Sequence, residues 1–251
     1  MEGSKTARWV IAMLALASLT LSPWQAAAAD PLDQELVTLV HLGELQGRAA
    51  EEMKRLTDQV QRAQSLGLPT ESLVDKIKEG MAKGIETPRI EQRLILMINH
   101  MKLAKTLLKA TGPSGKNQAA LGGKDRALAV LSEALERGVT PDEVRSVHRD
   151  IGEGNHEVHP DALAYGAKGM ALMKEGGLPP DVSRALAATA LRKGVEPTNL
   201  MDLARELKGR GPEFREHPAK LRDIQNAVER GHRMEKIISD LRSRPDTTKP
   251  Q

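Results

Sequence analysis

Three histidines fall within twelve residues of one another: His148, His156 and His159. Asp150, Glu153, Glu157 and Asp161 stand among them, around a Gly154-Asn155 turn. Imidazole and carboxylate together suit zinc, nickel or copper. His148, His156 and His159 are therefore the candidate metal ligands of this chain. The spacing is not that of the helical zinc-protease motif, which places two histidines four apart. In "HEVH" (156–159) they are three apart, and His159 precedes Pro160 as a helix cap would. Loop histidines that bind nothing are the plainer alternative.

Other chemistry is harder to assemble. The chain has no cysteine, which removes thiol nucleophiles, thiolate metal sites, a lipoprotein anchor and disulfides. No Gly-x-Ser-x-Gly elbow occurs. "SGK" and "GGK" near 114–124 are followed by Asn117 and Asp125, so the phosphate-loop pattern fails. Glu51, Glu52, Asp75 and Glu79 fall beside lysines and arginines at helical spacing, as paired surface charges do. Met97, Met101, Met170 and Met173 sit on or beside apolar stripes, which favours core filling over copper binding. No cofactor is implied. An unrecognised helical hydrolase is the one enzyme alternative.

The chain has 251 residues and a formal net charge of +3. Acids and bases alternate without a long basic run, which argues against a nucleic-acid footprint. Both tryptophans, Trp9 and Trp24, precede residue 30, leaving Tyr165 and Phe214 as the only later aromatics of the Phe/Trp/Tyr class. Stacking platforms for bases are thereby excluded.

Residues 1–29 have the order of a secretory signal peptide. Lys5 and Arg8 precede the apolar run "WVIAMLALASLTL" (9–21), and Ala26–Ala29 supply small residues for cleavage near Ala28 or Ala29. The run is shorter than the about 20 residues a spanning helix needs. No second span follows, so the exported chain is expected in the periplasm or outside the cell.

The remainder reads as all-α. Apolar residues recur at steps of three and four, and alternating β-type runs are absent. One long helix is expected over about 32–66, interrupted near Gly43 or Gly47, with a stripe running Leu45, Ala49, Met53, Leu56, Val60, Ala63. Ile90, Leu94, Met97, Met101, Ala104 and Leu108 mark another, widened by Ile95, Leu96, Ile98 and Leu103, which predicts a centrally buried helix. "TGPSGKNQAALGGK" (111–124) reads as a flexible linker between helical subdomains at 30–110 and 125–242. Short helices fill the second subdomain, and a longer one is expected after "GRGPEFREHP" (209–218). The tail 243–251 is expected to be disordered.

One phrase recurs: "MAKGIETP" (81–88), "LERGVTP" (135–141) and "LRKGVEP" (191–197). A basic last turn at Lys83, Arg137 and Lys193 is followed by Gly84, Gly138 and Gly194 as left-handed caps. Ile85, Val139 and Val195 supply an apolar contact, and Pro88, Pro141 and Pro197 restart a helix. Thr140 and Glu143 add a capping box. Shorter forms occur at "GLPT" (67–70) and "GLPP" (177–180). Gly67–Gly84 and Gly177–Gly194 each span 17 residues, the mark of an internal repeat. The middle copy carries two extra residues within "GEGNHE" (152–157). Short helices on tight Gly-apolar-Pro corners imply an irregular bundle or a small α-solenoid.

"KEGMAKGIETPRIEQ" (78–92) resembles uncharacterised exported bacterial proteins in which Glu-Gly-x-x-Lys-Gly-Ile/Val precedes a proline-containing helix start. The resemblance implies no activity. "TALRKGVEP" departs from it at the Glu-Gly pair. Export, helical repetition and the lack of catalytic grouping point to a protein-interaction or adaptor module whose partner is another envelope protein. A metal- or ligand-responsive envelope protein centred on the three histidines is the alternative.

Overall fold

The computed structural model describes residues 31–109, 123–153 and 157–243. Twelve helices and no strand occur among them. They are α1 (Pro31–Leu45), α2 (Ala50–Ser65), α3 (Glu71–Ala82), α4 (Thr87–Lys109), α5 (Gly123–Glu136) and α6 (Pro141–Gly152). Then follow α7 (Pro160–Glu175), α8 (Pro180–Arg192), α9 (Pro197–Gly209), α10 (Gly211–Glu216), α11 (Pro218–Glu229) and α12 (Met234–Ser243). None of these helices is long and apolar enough to cross a membrane.

A helix end leaves backbone carbonyls without partners. Here seven glycines with positive φ solve that problem in one way: Gly47, Gly67, Gly84, Gly138, Gly177, Gly194 and Gly231. At each, the glycine N–H donates to the carbonyl three residues back, and the next N–H donates to the carbonyl five before itself. Gly138 N–H reaches Leu135 O at 3.0 Å, and Val139 N–H reaches Ala134 O at 3.2 Å. This is the Schellman cap. The residue after the glycine tucks into the core at Leu68, Val139 and Leu178. Ile85 departs from that rule and stays exposed. Pro141 and Pro197 open their helices, whereas Pro88 follows Thr87 into the second position of α4. The Thr140 hydroxyl accepts from Glu143 N–H at 3.2 Å, and Thr140 N–H donates back to the Glu143 carboxylate at 2.8 Å.

The corners fold the chain into two layers. In one, α2, α4, α5, α7, α9 and α12 pack side by side in that order; in the other lie α1, α3, α6, α8 and α11. Successive helices alternate between layers except at α4 and α5, which are neighbours in the same layer. The expected linker between them lies outside the described residues apart from its last two, which begin α5. The buried side chains of residues 36–107 and 127–241 form one core cluster, so both expected subdomains contribute to it.

Corner spacings recur. Gly47–Gly84, enclosing α2 and α3, and Gly194–Gly231, enclosing α9, α10 and α11, each span 37 residues, and Gly138–Gly177, enclosing α6 and α7, spans 39. The 17-residue spacing is one helix and its caps. Apart from the local Lys220–Glu213 bond between α10 and α11, side-chain hydrogen bonds that bridge helices join residues 31 to 43 apart, from Lys174–Glu143 to Arg93–Glu136. Such neighbour-to-neighbour coupling fits an all-α bundle or a small solenoid.

Helix α7 is buried along most of its length. Its glycines let neighbours close in. A Cβ at Gly166 would sit 3.0 Å from both Leu191 and Val147 side chains. At the far end Gly176 and Gly211 bring two backbones together, and a Cβ on Gly211 would fall 1.4 Å from the Gly176 carbonyl oxygen. Charges tie the same helices. Arg137 on the α5 corner bonds Glu133 at 2.9 Å and Glu175 of α7 at 2.8 Å, and Glu175 accepts Lys208 of α9 at 2.6 Å.

Two expectations need correction, and one pair of alternatives is resolved. The stripe of α2 begins at Met53, because Leu45 and Ala49 are exposed. Gly43 does not break the first helix. It lies inside α1 with Met53 packed upon it, and the break falls at Gly47. The longer C-terminal helix is two, α11 and α12, parted by the Gly231 corner, and the preceding turn holds the short α10.

Two outcomes test this packing. Gly138→Ala meets open space, so denaturant unfolding should show only left-handed strain, about 1–2 kcal/mol. Gly211→Ala should cost more, about 3 kcal/mol, because backbone must move; equal costs would contradict the close approach. The second concerns Glu213, which is 2% exposed and held between Lys220 at 2.7 Å and Arg210 at 3.2 Å. The Lys220 bond holds its carboxyl below the usual glutamate range against the opposing effect of burial. The unfolded chain therefore binds this proton more readily, and stability falls as pH drops below the ordinary value of about 4.3. Glu213→Gln should flatten that acid limb in unfolding curves taken against pH.

Candidate functional site

The histidines come first. His148 is half-buried on α6, and His159 caps α7 in extended backbone with its side chain exposed and making no cap bond. His156 lies outside the described residues. Two of the neighbouring carboxylates are already engaged: Asp150 accepts Arg184 of α8, and Glu153 accepts Arg192 at 2.6 Å. Among the described residues no three His, Asp or Glu side chains gather as metal ligands would. Asp150 and Glu153, two of the four acids read with the histidines, bind α6 to α8.

The other candidates resolve into structure. Met97, Met101, Met170 and Met173 are buried in the core. Glu79 accepts Lys83 at 2.5 Å and also pairs with Lys76, and these two ammonium groups pull its carboxyl down to about 2. Tyr165 accepts from the Arg126 guanidinium at 2.6 Å, with the cation 5.4 Å from the ring centre. The Arg126–Tyr165 contact joins α5 to α7, while the Glu79 pairs lie along α3 and its C-cap.

The unexplained feature is apolar. Among the described residues, the exposed large hydrophobics are Val37, Leu42, Leu45, Leu66, Ile85, Ile95 and Leu96. All precede residue 97, while the large apolar residues of α5–α12 are buried or half-buried. Val37 and Leu45 are 70% and 72% exposed on α1. The wide stripe of α4 explains two more. Ile98 is buried as expected, but Ile95 and Leu96 face outward, because α4 is covered on fewer sides than its sequence predicts.

Helix α1 ends its layer and touches only α2 and α3 closely. Leu36, Leu39 and Gly43 face inward, and Gly43 lets Met53 approach. Along the outer edge, α1 and α2 border an open groove of about 660 Å³. Asp33, Leu36, Val37, Val40, His41 and Glu44 line it from α1, and Thr57 and Gln61 from α2. The exposed side of α1 sets Val37, Leu42 and Leu45 among Asp33, Gln34, Thr38 and Glu44. Sequence reading missed the groove by starting its stripe at Leu45. The signal was present: Leu32, Leu36, Val37, Leu39, Val40, Leu42 and Leu45 surround α1 on more sides than one neighbour can cover.

If these apolar side chains serve a partner rather than the fold, Val37→Ser with Leu45→Ser should leave unfolding free energy within about 0.5 kcal/mol. Leu39→Ala, at 1% exposure, should cost about 2–5 kcal/mol. A comparable loss from the exposed pair would show that the face belongs to the core.

No family model matches the chain, and no curated protein or solved structure matches it either.

Proposed function

We propose that this chain is an exported helical-repeat adaptor that docks a partner protein of the cell envelope through α1–α4. One observation carries the reading: exposed large hydrophobics are confined to residues 37–96 among those described. Exposed large apolar side chains gathered in one half of a fold suit the docking of another surface. The second half of the stack covers its own apolar residues and carries charges paired across helices. It is the rigid support, and the first half is the recognition surface. Export rests on Lys5 and Arg8, the apolar run 9–21 and the alanines at 26–29.

Photo-crosslinkers at Val37 and Leu96 test the assignment in intact cells. Both positions should trap the same envelope protein reproducibly, while Arg222 on α11 should trap none. The absence of any reproducible adduct at Val37 and Leu96 would overturn the adaptor reading.

A further inference from the structure

The partner's chemistry can be narrowed from the α1 groove, and this step rests on the docking reading above. Asp33, Val37, Val40 and Glu44 follow one another at steps of four, three and four. At 3.6 residues per turn those steps keep all four on one face. The stripe is therefore acid, apolar, apolar, acid, with Leu36 and His41 lining the groove beside it. Asp33 and Glu44 stand about 16 Å apart along the helix axis, at about 1.5 Å per residue. Helix α1 contains no lysine or arginine. Glu35 is occupied by Lys78 of α3 at 2.6 Å. Among the described residues Asp33 has no such partner, and Glu44 has only His41 nearby, at 3.9 Å. The opposite wall offers Thr57 and Gln61, which are uncharged.

We infer that the α1–α2 groove receives a cationic amphipathic helix of another protein, about three to four turns long. Its leucine-type side chains fill the groove over Val37 and Val40, and lysine or arginine near each end meets Asp33 and Glu44. Helix-in-groove binding uses such an apolar row for affinity, and the flanking charges set orientation and exclude acidic competitors. A second copy of this chain fits poorly. Joining two α1 faces brings acid against acid, and α12 at the other end exposes no large hydrophobic.

The probe is a fluorescent helix of about 18 residues with leucine on one face and lysine on the other, compared with an isomer carrying glutamate at every lysine. Anisotropy with the purified protein should show saturable binding of the lysine peptide and none of the glutamate isomer. Asp33→Lys with Glu44→Lys should weaken binding at least tenfold, and so should Val37→Ser. Glu216→Lys with Asp240→Lys, an equal charge change elsewhere, should leave it unaltered. Equal loss in both charge variants, or equal binding of both peptides, would overturn the inference as unspecific attraction. A dimer that Val37→Ser dissolves would assign the groove to a second copy instead. A crosslink from Val37 into residues 1–30 of the same chain would assign it to that segment. If Val37 still traps an envelope protein while the lysine peptide fails to bind, the adaptor reading stands and the cationic partner is wrong.

Discussion

Each helix in this chain must end so that the next can return alongside it, and the last turn must keep its carbonyls bonded while the backbone reverses. A left-handed residue does both, and only glycine enters that region at little cost. Seven glycines hold it here. The corner fixes the direction in which the chain leaves the helix, and the proline or capping residue that follows fixes where the next helix starts. With corners this short, successive helices have no choice but to lie side by side. The two-layer order follows from that repetition, and so does the coupling of each helix to its neighbours.

Close packing then depends on what the helices carry between corners. Helix α7 is built of alanine, glycine and methionine where it meets α5, α8 and α9, so its neighbours approach until side chains touch its backbone. The Gly176–Gly211 contact is the extreme case. Charge follows the same geometry. Arg137 sits on a corner and reaches both its own helix and the next, and Glu175 passes the link on to Lys208. These pairs are half-exposed, and such bonds contribute modestly to stability. Their effect is to fix register between helices whose apolar faces alone would tolerate sliding.

Much of this was legible beforehand, and unevenly. The corners at Gly84, Gly138 and Gly194 could be read because glycine, an apolar residue and proline fall together. Gly47 and Gly231 form the same hydrogen bonds but are followed by Arg48 and His232, with no proline, so their sequence carries only half the signal. The all-α class followed from periodicity. The pairing of layers did not, since which helix lies across from which depends on contacts 31 to 43 residues apart. Periodicity also says how wide an apolar stripe is but not how many neighbours cover it. That is why α4 looked fully buried and yet presents Ile95 and Leu96. Of the three histidines that stand together in the sequence, His156 lies outside the described residues. On the folded chain Asp150 and Glu153 bond arginines of α8, a partnership no local spacing could reveal.

The molecule thus divides its work along its length. Among the described residues, helices α5–α12 expose no large hydrophobic and pair many of their charges across helices. Helices α1–α4 leave apolar side chains in solvent, most of all on α1. The proposed adaptor role takes that apolar surface as the one a partner covers. Hydrogen exchange read by mass spectrometry on the protein in envelope fractions and on the purified protein is the most direct measurement of that claim. Added protection confined to 31–109, with 123–243 unchanged, is the predicted result. Identical exchange in both preparations, or added protection confined to 123–243, would contradict it.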